Sequence, residues 1–322
     1  YPYEIDAGKH VLKKLGERDD RACIFTPSGT TSILNVIALL KHSSRQRLFI
    51  LGPAYFTVTE FARFAGLEVT HAPLCPSGIN NAADIQGLFD QHQPDCVWVS
   101  NPTYCSSIYP DERSLRELIH AIRNRNLTLI VDESLSFYDR SLIPRIANQD
   151  NTIGIYVPHK ALALNAIKLS FFTAPQHLES SLQQWSDVFA GGLPFGASAA
   201  IAHFCSDDFD TAISKMRQLN KFKLNQVICV VDNYEKIVVD GPSDGHFISI
   251  RAPNIDMQKA RCDDFISSLI SQSAVSFIQS ERFGFTEHTG FGFRVNLMRM
   301  TDPMLGGLNR LCDALSRVSA GD

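Results

Sequence analysis

From Cys23 to Thr173, short runs of β-branched and apolar residues alternate with stretches of helical periodicity, and no other feature of the chain restricts its fold as strongly. Strands separated by helices do not pair as hairpins. They line up side by side under helices that cover both faces, which gives an α/β architecture on a mainly parallel, seven-stranded sheet. The runs that qualify as strands are 23–26, 48–51, 67–71, 96–100, 127–132, 153–157 and 168–173, and residues 31–41, 56–65 and 112–124 read as helices between them. Gly66 closes the second of these helices, where a left-handed residue is needed. In such a sheet ligands meet the loops at the C-terminal ends of the strands.

Near Ser206 the pattern changes. A long helical stretch through Asn233 is followed by a strand at 246–251, a helix from Asp256, strands near Val275 and Phe293, and a last helix started by Thr301-Asp302-Pro303, which joins a capping residue to a first-turn proline. The expected division is a large domain of residues 1–205, with 1–20 leading in, and a smaller α+β domain of residues 206–322. The Gly241–Gly245 run reads as a turn.

Charge narrows the function. The 30 basic and 34 acidic residues are intermixed and give a net charge of −4, without the basic block that nucleic acid or a membrane surface requires. Eight scattered cysteines offer no close pair for a structural metal, so no metal is expected. No apolar run is long enough to span a membrane and no signal peptide opens the chain, so a cytoplasmic enzyme acting on small molecules is the default.

Four places carry candidate chemistry. Pro27-Ser28-Gly29-Thr30-Thr31 lies between a strand and a helix, where backbone N–H groups converge on an anion or Ser28 simply caps the helix. Asp132 ends an apolar strand, where a carboxylate can keep a heteroaromatic nitrogen protonated or cap a turn. Lys160 follows another strand, with Lys168 eight residues on; desolvation and a neighbouring cation would lower its pKa and make it a nucleophile, whereas an ordinary loop lysine is solvated. Arg294 is an isolated guanidinium in an apolar strand, suited to bidentate capture of a carboxylate or to a buried ion pair.

In this order the segments resemble the class I and II aminotransferases, the pyridoxal-phosphate (PLP) fold type I group that includes the aspartate and histidinol-phosphate aminotransferases. The resemblance covers nearly the whole chain. It implies that Ser28, Gly29 and Thr30 form the phosphate loop, that Tyr55 in Pro53-Ala54-Tyr55 stacks on the pyridine ring, and that Asn101 of Asn101-Pro102 binds the cofactor's O3′. It further implies that Asp132 binds the pyridine nitrogen, that Lys160 is the Schiff-base lysine, that Lys168 stands at the phosphate-binding arginine, and that Arg294 binds the substrate α-carboxylate. Tyr1 of Tyr1-Pro2 is similar to a tyrosine that reaches the phosphate of a neighbouring subunit, and Ser198 lies near a second such contribution, which implies a homodimer with shared sites. The chain opens at Tyr1 rather than at methionine, as expected where an N-terminal piece has been removed or left out, and the arm that helps cover the substrate in this family is not among the residues read.

Three positions depart from the family: His159 replaces serine, Lys168 replaces arginine, and Leu135 stands where many members carry a tyrosine. The function implied is transamination of an amino acid, with a keto acid as partner. Decarboxylation, elimination or cyclisation on the same fold remains open on the strength of these departures, as does a non-catalytic binding protein. A Rossmann-type nucleotide binder lacks its glycine fingerprint after the first strand.

Overall fold

A computed structural model describes residues 2–72, 79, 84–146, 150–194, 196–241, 245–276 and 289–318. Its frame is a seven-stranded sheet made of β1 (Arg21–Thr26), β2 (Arg47–Ile50), β3 (Glu68–His71), β4 (Cys96–Ser100), β5 (Thr128–Asp132), β6 (Thr152–Tyr156) and β7 (Ser170–Pro175), in the spatial order β1-β7-β6-β5-β4-β2-β3. Strands β2 to β6 pair in parallel. β7 is antiparallel to both β1 and β6, because only one 3-10 turn, Pro158–Leu162, separates it from β6 and no crossover helix intervenes. Each of the seven strands read between residues 23 and 173 is present, with its ends moved by at most two residues.

Side chains on successive strand residues point to opposite faces, and the sheet sorts its apolar residues accordingly. On one face Trp98, Ile130, Ile153, Ile155 and Phe172 pack beneath α2 (Gly29–His42), α3 (Phe56–Phe64) and α6 (Glu179–Ala190). On the other, Val97, Val99, Leu129, Val131 and Phe171 pack beneath α1 (Pro2–Leu15), α4 (Ile85–His92), α5 (Glu112–Arg125) and α7 (Ala197–Cys205). β4, β6 and β7 are buried along their whole length, which is why they read as continuous apolar runs. Helix starts follow from capping: Asp84 Oδ1 accepts from Gly87 N at 2.7 Å and Asp111 Oδ1 from Ser114 N at 2.8 Å. Gly66 ends α3 with φ of +77°, as the sequence requires.

α8 (Asp207–Val231) places Phe209 and Ile213 in the second of these cores and Leu224, Val227 and Val231 in a third. That third core lies between a small antiparallel sheet, in the order β10-β9-β8, and flanking helices. The sheet contains β8 (Val238–Val239), β9 (Phe247–Ala252) and β10 (Phe291–Asn296); α9 (Met257–Ala260), α10 (Asp263–Ser273) and α11 (Asp302–Val318) complete the unit. Residues 274–276 carry no strand, and 277–288 and 242–244 lie outside the described residues, so the strand expected near Val275 and most of the turn at 241–245 are not described. α1, α4, α6 and α7 are additions to the sequence reading. Their buried faces are short, as with Val11, Leu12 and Leu15 of α1, and their periodicity is correspondingly faint.

A buried ion pair ties the start of the chain to the sheet. Glu17 and Arg21 have side chains 0% and 2% exposed and meet at 2.7 Å. Tyr156 Oη and Thr173 Oγ1 donate to the other Glu17 oxygen at 2.5 and 3.0 Å, and Arg21 Nη2 donates to the Thr152 carbonyl at 2.8 Å, so four elements share one polar knot. Removing one partner of such a pair strands the other charge. Glu17→Met is therefore expected to lower the urea-unfolding free energy by about 3–5 kcal/mol, and the double variant E17M/R21M by clearly less. Equal losses in the two proteins would show that the pair's charge balance is immaterial.

Candidate active site

A cavity of about 240 Å³ opens at the C-terminal ends of β4 and β5, between the N-terminus of α2, the turn after β6 and the small sheet. Gly29, Thr30, Tyr55, Asp132, Lys160 and Arg294 all line it, although they are up to 265 positions apart in the chain (294 − 29). This is the placement expected for a ligand at the strand ends of an open α/β sheet.

Asp132 is the last residue of β5, with Oδ1 accepting from Ser134 N at 3.0 Å. Burial pushes its carboxyl above the ordinary carboxylate range, against the opposing Ser134 hydrogen bonds and the charge of Lys160. Lys160 sits in the Pro158–Leu162 turn, whose exit residue Ala163 is left-handed at φ of +57°. Burial pushes its amine below the usual lysine value; Asp132 opposes the shift, while Lys168 and Arg294 reinforce it. Desolvation and a neighbouring cation were the two requirements set by the sequence, and Arg294 adds a second cation.

Gly29 is where α2 approaches the turn most closely. A Cβ there would stand 2.7 Å from Val157 Cγ2, with Ser134 Oγ and Lys160 Nζ at 3.8 and 3.9 Å, so a side chain would collide with the wall of the site. Ser28 takes the capping role: its Oγ accepts from Thr31 N at 3.2 Å and lies 2.9 Å from Thr31 Oγ1, while Gly29 and Thr30 face the cavity. Tyr55 stands at the N-terminus of α3, with its ring 5.7 Å from that of Tyr104.

Asn101 lies beside the cavity rather than in its lining. Its neighbours Ser100 and Pro102 line the cavity, but Asn101 itself is fully buried and absent from the lining. Its Nδ2 donates to Glu133 Oε2 at 2.8 Å and to the Arg140 carbonyl at 3.0 Å, and its Oδ1 has no hydrogen-bond partner among the described residues. Glu133 also accepts from Ser141 Oγ at 2.9 Å and Leu142 N at 2.7 Å, and burial pushes its carboxyl up to about 7. The adjacent acids thus divide, Asp132 toward the cavity and Glu133 into the core, as alternation along an extended chain requires.

Lys168 is exposed and lines a separate cavity of about 500 Å³ beside His159 and His203, acting on Lys160 through its charge alone. His159 is fully buried, with its ring stacked 5.5 Å from that of His203 and Nε2 3.3 Å from His203 Nδ1. Burial and His203 hold its pKa down to about 4, so it is neutral at physiological pH. Leu135 lines the main cavity. Ser198 is exposed on the first turn of α7, and Tyr1 lies outside the described residues.

Arg294 projects from β10 with its guanidinium carbon 4.1 Å from the Phe247 ring centroid and 4.7 Å from that of Tyr104, and its Nη1 donates to the Tyr104 carbonyl at 3.5 Å. Two ring faces hold the planar fork in place. Tyr104, His246, Phe247, Asn296 and Met298 also line the cavity and were not found by sequence reasoning. Asn296 was within reach of it, since residues two apart on a strand share a face and Arg294 had been singled out. His246 carries no periodic signal. Among the described residues no cluster of ligating side chains could hold a metal, and no helix is long and apolar enough to cross a membrane.

The chain is similar to known aminotransferases in sequence and in fold. A histidinol-phosphate aminotransferase from Caldanaerobacter subterraneus subsp. tengcongensis is 20% identical over 248 residues, 69% of each chain. The solved α-aminoadipate aminotransferase of Thermus thermophilus, complexed with N-(5′-phosphopyridoxyl)-L-leucine, superposes with a TM-score of 0.79 at 15% identity, covering 98% of this chain and 82% of that one. The histidinol-phosphate aminotransferase of Clostridium acetobutylicum gives a TM-score of 0.73 at 15% identity, covering 100% and 90%. At such identities these structures share the fold. Residues 4–315 match the family described as aminotransferase class I and II, and the chain belongs to that family of PLP-dependent aminotransferases.

Proposed function

We propose that this protein moves the amino group of an amino acid to a keto acid, with PLP bound covalently by Lys160 and the substrate α-carboxylate held by Arg294. The observation that carries this reading is the placement of a half-buried amine, depressed below its usual pKa, in one cavity with a buried carboxyl raised above its own. Such a carboxyl is stabilised as the anion by a cationic ring nitrogen, and such an amine attacks an aldehyde at neutral pH. The glycine cradle at the start of α2 suits a phosphate: Gly29 leaves room for it, and Thr30 and the helix N-terminus supply donors. These residues fit the cofactor.

Each residue then has a role. Ser28 shapes the phosphate loop by capping, Lys168 adds positive charge near it, and Tyr55 offers a ring face. Asn101 acts from below, steadying the Asp132–Glu133 corner through Glu133. The bound cofactor supplies an electron sink for charge developing at the substrate Cα. Lys160, once its amine is free, would take the Cα proton as general base and hold it within the cavity for return. Arg294 would fix the carboxylate so that the C–H bond, rather than the bond to the carboxylate, is the one presented for cleavage beside Lys160, which favours proton transfer over decarboxylation. The same reading makes the protein a homodimer in which Tyr1 and Ser198 serve the partner's site. It also divides the chain into a cofactor-binding unit, 1–205, and a smaller unit, 206–322, with α8 running from one core into the other.

The test is spectroscopic and chemical. Protein supplied with PLP should show a visible band that borohydride fixes on Lys160, and amino acids should convert it with release of a keto acid and formation of pyridoxamine phosphate; carbon dioxide or ammonia as the product would instead establish a lyase. Lys160→Ala should lose the fixed label and at least about 10³-fold in turnover. Asp132→Asn should keep the label and lower kcat by roughly 10²-fold or more, and an unchanged kcat would remove Asp132 from the cofactor's nitrogen.

For Arg294, loss of a charge-assisted bond of about 1.5–3 kcal/mol predicts that Arg294→Ala lowers kcat/KM by roughly 10- to 100-fold. Arg294→Lys should recover part of that loss, since lysine keeps the charge without the fork. Only the neutral amine attacks, so the rate of PLP capture should rise with pH to a midpoint below the ordinary lysine value of 10.5. A midpoint at or above that value would contradict the depressed amine.

A further inference from the structure

His246 immediately precedes β9, yet its ring reaches the turn that carries Lys160. Nε2 lies 3.0 Å from the Ala161 carbonyl, and because a carbonyl only accepts, the ring proton belongs on Nε2. The Nδ1 lone pair then faces Asn220 Nδ2 of α8, 3.4 Å away, and the ring packs edge-on against Phe137 at 5.6 Å. The residue is 4% exposed and lines the same cavity as Lys160 and Arg294. Within the turn the carbonyls of Val157, His159 and Lys160 accept the N–H groups of Lys160, Leu164 and Ala163, while that of Ala161 is held from outside by His246. The backbone of His246 completes the link: its own carbonyl accepts from Leu297 N at 2.8 Å, and the next residue, Phe247, pairs with Asn296 at the end of the Arg294 strand.

We infer that His246 is a positioning residue that sets the separation of Lys160 from Arg294, its ring gripping the Lys160 turn through Ala161 and its backbone gripping β10 through Leu297. This inference rests on the reading of Lys160 as the cofactor-bearing amine and Arg294 as the carboxylate site. Without the ring's hydrogen bond the turn, already exiting through left-handed Ala163, is free to lift toward solvent. Lys160 then regains water and moves away from the charges that face it, namely Asp132, Lys168 and Arg294. Its amine becomes a more ordinary lysine, and the distance from base to bound carboxylate loses definition.

The experiment follows the pH dependence of PLP fixation on Lys160, trapped with borohydride, in the full chain and in three variants. His246→Phe removes the donor and keeps a buried ring; His246→Gln keeps a donor of similar reach. His246→Asn, whose amide is too short for the Ala161 carbonyl, replaces the phenyl variant if that protein does not fold. Loss of the bond should raise the capture midpoint by about one pH unit, lowering the rate at neutral pH by roughly tenfold, and H246Q should restore most of it. In steady state the loss should fall on kcat more than on KM, because geometry rather than carboxylate binding is disturbed. A wild-type midpoint in H246F, or in H246N where it stands in, or an H246Q protein no better than that variant, overturns the positioning role. Failure of the wild type itself to fix PLP on Lys160 would instead remove the functional reading, and this inference with it.

Discussion

A buried Asp132 and a half-buried Lys160 line one cavity, and the site depends on the electrostatic tension this creates. Each attracts the other, so each by itself would favour the other's charged form; burial outweighs that attraction and drives both toward neutrality. A carboxyl that resists ionisation and an amine that resists protonation are poorly satisfied by water or by each other. The proposed cofactor would satisfy both, bringing a cationic ring nitrogen to one and an aldehyde to the other. Lys168 and Arg294 add to the effect on the amine from two directions, one beyond the cavity wall and one across the cavity.

Such a site needs a stiff support. The sheet supplies it by ending β4 and β5 together, with Ser100 paired to Asp132, and Glu133 anchors the corner beneath. Three donors from distant positions, Asn101, Ser141 and Leu142, converge on that one carboxylate. A second buried acid, Glu17, binds the segment after α1 to β1, β6 and β7 at a distance from the cavity. Polar networks of this kind are costly to leave half satisfied, which makes them effective at holding one arrangement.

Much of the site was legible before the fold was known, because its residues occur where the chain's own punctuation places them. Asp132 and Ser100 end apolar strands, Gly29 begins a helix after one, Lys160 follows another, and Arg294 interrupts an apolar run in which a guanidinium needs a reason to be. Local pattern leaves direction undecided. Ser28, Asn101 and Lys168 stand near cavity residues in the chain; Ser28 caps α2, Asn101 turns inward to Glu133, and Lys168 faces a neighbouring cavity. Tyr104, Phe247 and His246 were missed for the converse reason, since nothing in their local pattern distinguishes them from ordinary core or loop residues.

The sequence by itself determined the order and type of the main strands, the layering that follows from their apolar period, and the strand ends at which chemistry would be sited. These depend on local backbone geometry and on the removal of apolar side chains from water, both of which are written in residue spacing. Only the tertiary structure decided which of two adjacent polar residues faces the ligand, and how far one cation stands from another. It also decided that a histidine from the small sheet would hold the turn that carries Lys160. Those choices depend on partners dozens to hundreds of positions away, whose hydrogen bonds and charges come into reach only when the chain has closed upon itself.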